Sequence, residues 1–227
     1  MQLIFSSILA GLCIGIGAAA YCSCSNTLVG ALLFAAGLSV ICAQGFALYT
    51  GKIGYVRTKK DYQNAAIMFL GNCIGVAAIA YIARLAAPSI QIQALSMIEA
   101  KNSATIIQKF CSGILCGVCV YLAVDGYKAM NKFLFILLFI PLFIICAWDH
   151  CIANIAYAVF AGKLMRLDLF IAVVLGNSVG ALGLNWLSRL TQKTNGKVVV
   201  NMEAFNKCCI KPTSEFVVTM ASKEETK

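Results

Sequence analysis

Charge is what this chain has least of. Only 12% of its 227 residues are Asp, Glu, Lys or Arg, about half the share in an ordinary soluble domain. None lies between Met1 and Gly51. A soluble fold would need a very large core to hide such a stretch. The N-terminus has no basic region ahead of its first apolar run, and apolar segments continue to about residue 190. That argues against a signal peptide on a soluble domain. Histidine occurs once, at His150. No cofactor motif is present, and Asp149 is the one further catalytic base in apolar surroundings, so the chain does not read as an enzyme.

What is abundant is apolar surface. Hydrophobic residues make up 61% of the chain and its mean hydropathy is +0.86. Twelve cysteines are present. Cys13, Cys42, Cys73, Cys111, Cys116, Cys119, Cys146 and Cys151 lie inside apolar runs, where a free thiol behaves as a small hydrophobe. No disulfide framework is expected. Thiols beside an imidazole can bind zinc, but Cys146, His150 and Cys151 match no common zinc spacing, and no metal is expected. The net charge of +9 does not imply nucleic acid, because the basic residues flank the apolar segments.

A helix needs about 20 apolar residues to cross a bilayer. Six spans are expected, at about 3–21, 27–56, 64–87, 104–124, 132–162 and 168–190. The second and fifth are too long for simple helices. Each has an interruption near its middle, at Gln44-Gly45 and Asp149-His150. Broken helices are tolerated in a membrane only where the freed backbone groups face protein or a watery cavity. The basic residues set the orientation. Lys52, Arg57, Lys59, Lys60, Lys128, Lys132, Arg189 and Lys193 fall on one side; Arg84, Lys101, Lys109, Lys163 and Arg166 fall on the other. Both termini are therefore expected in the cytoplasm. Residues 1–190 are expected to form the transmembrane domain and 191–227 a cytoplasmic tail.

The halves echo one another. Leu70-Gly71-Asn72-Cys73-Ile74-Gly75 recurs 105 residues later as Leu175-Gly176-Asn177-Ser178-Val179-Gly180. Gly11 and Gly15 recur as Gly113 and Gly117, and the two interruptions correspond. Three spans per repeat turn the second repeat upside down relative to the first. Small-residue spacing alone is explained by helix packing. Matched interruptions in two inverted halves point instead to a substrate path at the midplane. A purely structural scaffold would need only intact helices.

Asp149-His150-Cys151-Ile152-Ala153-Asn154 resembles the acidic-His-Ser/Cys-Ile/Val-Ala-Asn signature of the formate/nitrite transporter family. Leu48-Tyr49-Thr50-Gly51 resembles its Leu-Phe-Thr-Gly/Ser turn, and Gly71-Asn72 and Gly176-Asn177 its Gly-Asn elements. The resemblance covers about residues 3–190. It implies an all-α membrane protein, an aquaporin-like protomer with broken helices 2 and 5, and a homopentamer in which each protomer holds its own pore. By position, Lys101 matches the lysine before the fourth helix and Thr50 the threonine of the first break. Phe34, Leu38 and Leu48, with Tyr49 beside them, match one constriction and Phe143 the other. Two positions depart from the pattern. Asp149 stands where many members have glutamate, and Gly117 where some formate channels have asparagine.

An ionisable residue inside an apolar span is a functional candidate by default, which singles out His150. Asp149 reads either as a buried acid or as the residue that orients His150. Lys101 alone would read as a solvated charge; the resemblance makes it a pore residue. Asn154 belongs to the histidine signature. Together these imply a channel for small monovalent anions of weak acids in the cytoplasmic membrane. Formate is the first choice, then nitrite or hydrosulfide. Protons are the second partner, His150 is their relay, and no cofactor is needed. The alternative is a passive channel for water or a small neutral solute.

Overall fold

The computed structural model describes residues 1–194, the last four by backbone alone. The expected tail, 191–227, lies outside the described residues beyond Thr194. Among the described residues the structure is all helical: α1 (Gln2–Ser23), α2 (Thr27–Gln44), α3 (Tyr49–Lys52), a 3-10 turn (Ile53–Tyr55), α4 (Lys59–Ala86), α5 (Ile90–Asn102), α6 (Ile106–Met130), α7 (Leu134–Ile145), α8 (Cys151–Ala161) and α9 (Leu167–Thr194). Five of these, α1, α2, α4, α6 and α9, are long and apolar enough to cross a membrane. Helices α7 and α8 are each too short alone, so the stretch expected as one span at 132–162 is two helices separated by Cys146–His150. Helix α5, which lies between the expected third and fourth spans, buries Ile90, Ala94 and Ile98 on one face against α8.

Local chemistry sets the helix ends. Asn26 caps α2 by accepting the Leu28 and Val29 amides at 3.0 and 3.1 Å. Thr58 with Asp61, and Thr105 with Gln108, form reciprocal capping boxes that start α4 and α6. Gly45 ends α2 at φ 69°, a left-handed conformation that costs glycine nothing.

Two long pairs organise the molecule: α1 runs along α4, and α6 along α9. Glycine lets the backbones touch. A Cβ on Gly75 would overlap the Ile8 carbonyl, and one on Gly117 the Asn177 carbonyl. The shortened helices α3 and α8 lie against these pairs in the interior, where α8 buries nine of its eleven residues. Large aliphatic side chains such as Leu70, Ile74, Leu175 and Val179 point outward and are about half exposed or more. An outward apolar shell around an interior that holds the buried polar groups suits hydrocarbon surroundings.

Candidate functional site

Helix α2 stops at Gln44 and the chain restarts as α3 at Tyr49; α7 stops at Ile145 and α8 begins at Cys151. Each stop frees backbone groups that need partners. One asparagine supplies them at each. The Asn72 carboxamide accepts the Tyr49 amide at 2.8 Å and donates to the Ala47 and Ser7 carbonyls at 2.9 and 2.7 Å. Asn177 accepts the Cys151 amide at 2.9 Å and donates to the Asp149 and Gly113 carbonyls, both at 2.8 Å. A serine completes each set. The Ala47 amide donates to Ser6 Oγ at 3.0 Å and the Asp149 amide to Ser112 Oγ at 2.8 Å. These four residues went unassigned at the sequence level, although the repeated Gly-Asn element was the signal for two of them.

His150 is the N-cap of α8. Its Nδ1 accepts the Ala153 amide at 3.1 Å. That nitrogen is therefore unprotonated, and the proton of the neutral ring sits on Nε2. Nε2 lies 2.8 Å from Thr50 Oγ1 and donates to it, which joins the two breaks through side chains a hundred positions apart. Phe143 stacks on the imidazole with ring centroids 6.0 Å apart.

Asp149 is fully buried and receives four side chains. Lys101 Nζ donates to Oδ1 at 2.5 Å and Asn154 Nδ2 to the same oxygen at 3.1 Å; Lys109 Nζ and Ser112 Oγ donate to Oδ2 at 2.8 and 2.7 Å. Lys101 and Lys109 are themselves buried, at 9% and 8% exposure. Two ammonium groups thus share one carboxylate. Burying a charge is tolerated when it is paired, and here one positive charge has no negative partner within the group. Lys109 counted only as a flanking charge in the sequence reading. Its hint was a lysine in the first turn of an apolar helix, where the dipole disfavours a cation.

Lys101, Lys109, His150, Asn154 and Phe143 line a cavity of about 320 Å³ together with Trp148, Tyr157 and Tyr21 among others. Beyond Phe143 and His150 lies a much smaller space of about 10 Å³. Phe34, Leu38, Leu48 and Phe143 surround it with Ile14, Val120 and Ile140. It is about the size of one water. The four aromatic and aliphatic residues, which the resemblance divides between two constrictions, meet around this one space. The reason is packing: the Phe143 ring stands edge-on to Phe34 at 6.2 Å. Tyr49 lines neither cavity. Its ring packs edge-on against Phe69 and its hydroxyl bonds Ser178 Oγ at 2.8 Å, so it faces α4 and α9.

Among the described residues no three His, Cys, Asp or Glu side chains come together as a metal site, and the ten cysteines there are free. The arrangement offers a polar vestibule with two lysines on one carboxylate, one imidazole and an apolar slit behind it. That combination suits passage of a small anion-forming solute.

Known proteins resemble this chain in sequence or in fold. The formate channel FocA of Haemophilus influenzae is 25% identical over 177 residues, which cover 66% of this chain and 62% of that protein's length. A solved pentameric formate channel with formate bound superposes with a TM-score of 0.72 at 22% identity, covering 86% of this chain and 97% of that one. A solved ion channel of the FNT family superposes with a TM-score of 0.74 at 21% identity, covering 84% and 89%. At those identities the superpositions establish the fold. Residues 1–190 match the formate/nitrite transporter profile, so this chain, a multi-pass membrane protein, belongs to the formate/nitrite transporter family.

Proposed function

We propose that this chain is a pore for small monovalent anions of weak acids, formate first and nitrite or hydrosulfide next. One observation carries the reading. A vestibule with two lysines on one carboxylate opens onto the histidine that borders an apolar slit. The unmatched positive charge raises the local concentration of anions. The slit rejects them, because an isolated charge is very costly in apolar surroundings. The solute crosses as the neutral acid, so it needs a proton in the vestibule.

His150 is the relay. A proton enters at Nδ1 once the ring releases the Ala153 amide, and the proton on Nε2 is passed on beside Thr50. Asp149 holds the lysines and Asn154 in place around it. The six spans form two inverted three-helix repeats with broken helices 2 and 5. The paired Asn72 and Asn177 clamps support that symmetry. The assembly is a homopentamer in the cytoplasmic membrane, both termini facing the cytoplasm; the pentameric solved relative and the basic flanks support this.

Purified protein in liposomes tests the reading. Formate, nitrite and hydrosulfide uptake are compared at two pH values, with wild type and H150F. Saturable, pH-dependent uptake that H150F abolishes or distorts is expected. An unaltered pH profile in H150F would remove the relay. Rapid water or neutral-solute flux with no anion flux would favour a passive channel.

A further inference from the structure

Lys109 lies where ordinary helix electrostatics give it no reason to be. It sits in the first turn of α6, at the positive end of the helix dipole, and is buried. Among the described residues its one negative partner, Asp149, already holds Lys101. Two nearby carboxylates among the described residues are engaged elsewhere: Glu99 pairs with Lys163 and Asp168 with Arg166. A single lysine on Asp149 would leave the group neutral. The second gives the vestibule a resting charge of one positive unit. Each ammonium has three donors and uses one on Asp149, which leaves donors for the cavity that both line.

We propose that Lys109 determines specificity by making the vestibule a stoichiometric monoanion seat, in which one carboxylate-class anion held by Lys101 and Lys109 brings the buried group to neutrality. The inference rests on the anion reading above and deepens it. Without Lys109 an entering anion meets a neutral pair, and the complex is left with an unmatched negative charge. Affinity for the anion then falls although the path is unchanged. The seat also ranks ligands by charge. Formate fits, whereas formamide, of similar shape but uncharged, leaves the positive unit unmatched.

The seat can be read without transport. Trp148 lines the cavity, while the second tryptophan, Trp186, lies on the outer surface and can be replaced. Formate is titrated into purified full-length W186F protein, followed by Trp148 fluorescence and by calorimetry. K109Q should raise the Kd about tenfold, the order expected for one lost charge-assisted hydrogen bond. K109R should bind like the parent. K109Q/D149N restores one unmatched positive charge and should recover much of the lost affinity, which a merely structural lysine would not allow. On the parent protein alone, formamide should fail to displace formate.

The proposal is overturned if the parent binds no formate, if K109Q binds it as tightly as the parent, if the double variant is no better than K109Q, or if formamide competes equally. Flux in liposomes separates the two readings. Binding with the expected charge dependence but without formate flux keeps the seat and removes the pore. Formate flux with a Kd indifferent to Lys109 keeps the pore and removes the seat.

Discussion

Replacing Asn177 by leucine is the most searching perturbation of this fold. The side chain keeps nearly the same shape but loses three hydrogen bonds: from the Cys151 amide, and to the Asp149 and Gly113 carbonyls. Gly113 lies within α6, whose own ladder keeps its carbonyl bonded. The Cys151 amide and the Asp149 carbonyl are left without these partners at a buried helix break. Each such orphan costs about 1–3 kcal/mol, so N177L should lose about 2–6 kcal/mol. For a chain of this size about 1 kcal/mol moves Tm by roughly 2–4 °C, which makes the expected drop about 4–24 °C. Intrinsic fluorescence during heating of detergent-solubilised protein, with gel filtration to score assembly, measures it. N72L should fall by a similar amount, because Asn72 holds the Tyr49 amide and the Ala47 carbonyl in the same way. Unshifted melting of N177L would refute the argument that these asparagines hold the breaks.

Other consequences are as concrete. G117A should fail to assemble or melt far lower, because its Cβ would overlap the Asn177 carbonyl; G183A, with open space around it, should be neutral or gain up to about 1 kcal/mol of helix propensity. Ala147 lies in the second break at φ 55°, a conformation that costs a side chain about 1–2 kcal/mol, so A147G should raise Tm by a few degrees in the same melts. F143A removes the ring between the vestibule and the small space, and larger monocarboxylates such as propionate should then enter liposomes faster relative to formate than in wild type. R84Q loses the bond from Arg84 to the Val159 carbonyl at the end of α8 and should lower stability by about 1 kcal/mol, read as a small drop in Tm.

Much of this protein is legible in its sequence because hydrophobicity acts locally. The charge-free stretch to Gly51, the apolar runs and the glycine pairs report the environment of each helix and the closeness of its neighbour. The ends of helices are local too. Gly45 can adopt a left-handed turn, and Thr58 and Thr105 carry their own caps, so stops and starts are written within a few residues. His150 stood out because an ionisable ring is costly within an apolar run.

What the sequence left undetermined depends on residues far apart in the chain. Lys109 reads as a flanking charge until α6 and the second break come together and place it on Asp149, forty positions away. Tyr49 reads as a lining residue until its ring is found against Phe69 and its hydroxyl against Ser178. Phe34 and Phe143 share no local signal, and only packing sets them edge-on around one small space. Burial and backbone conformation follow from each segment's own side chains. Pairing of buried charges and closure of a slit are decided by tertiary contacts, because an interior group takes whichever partner the packed helices bring within hydrogen-bond reach.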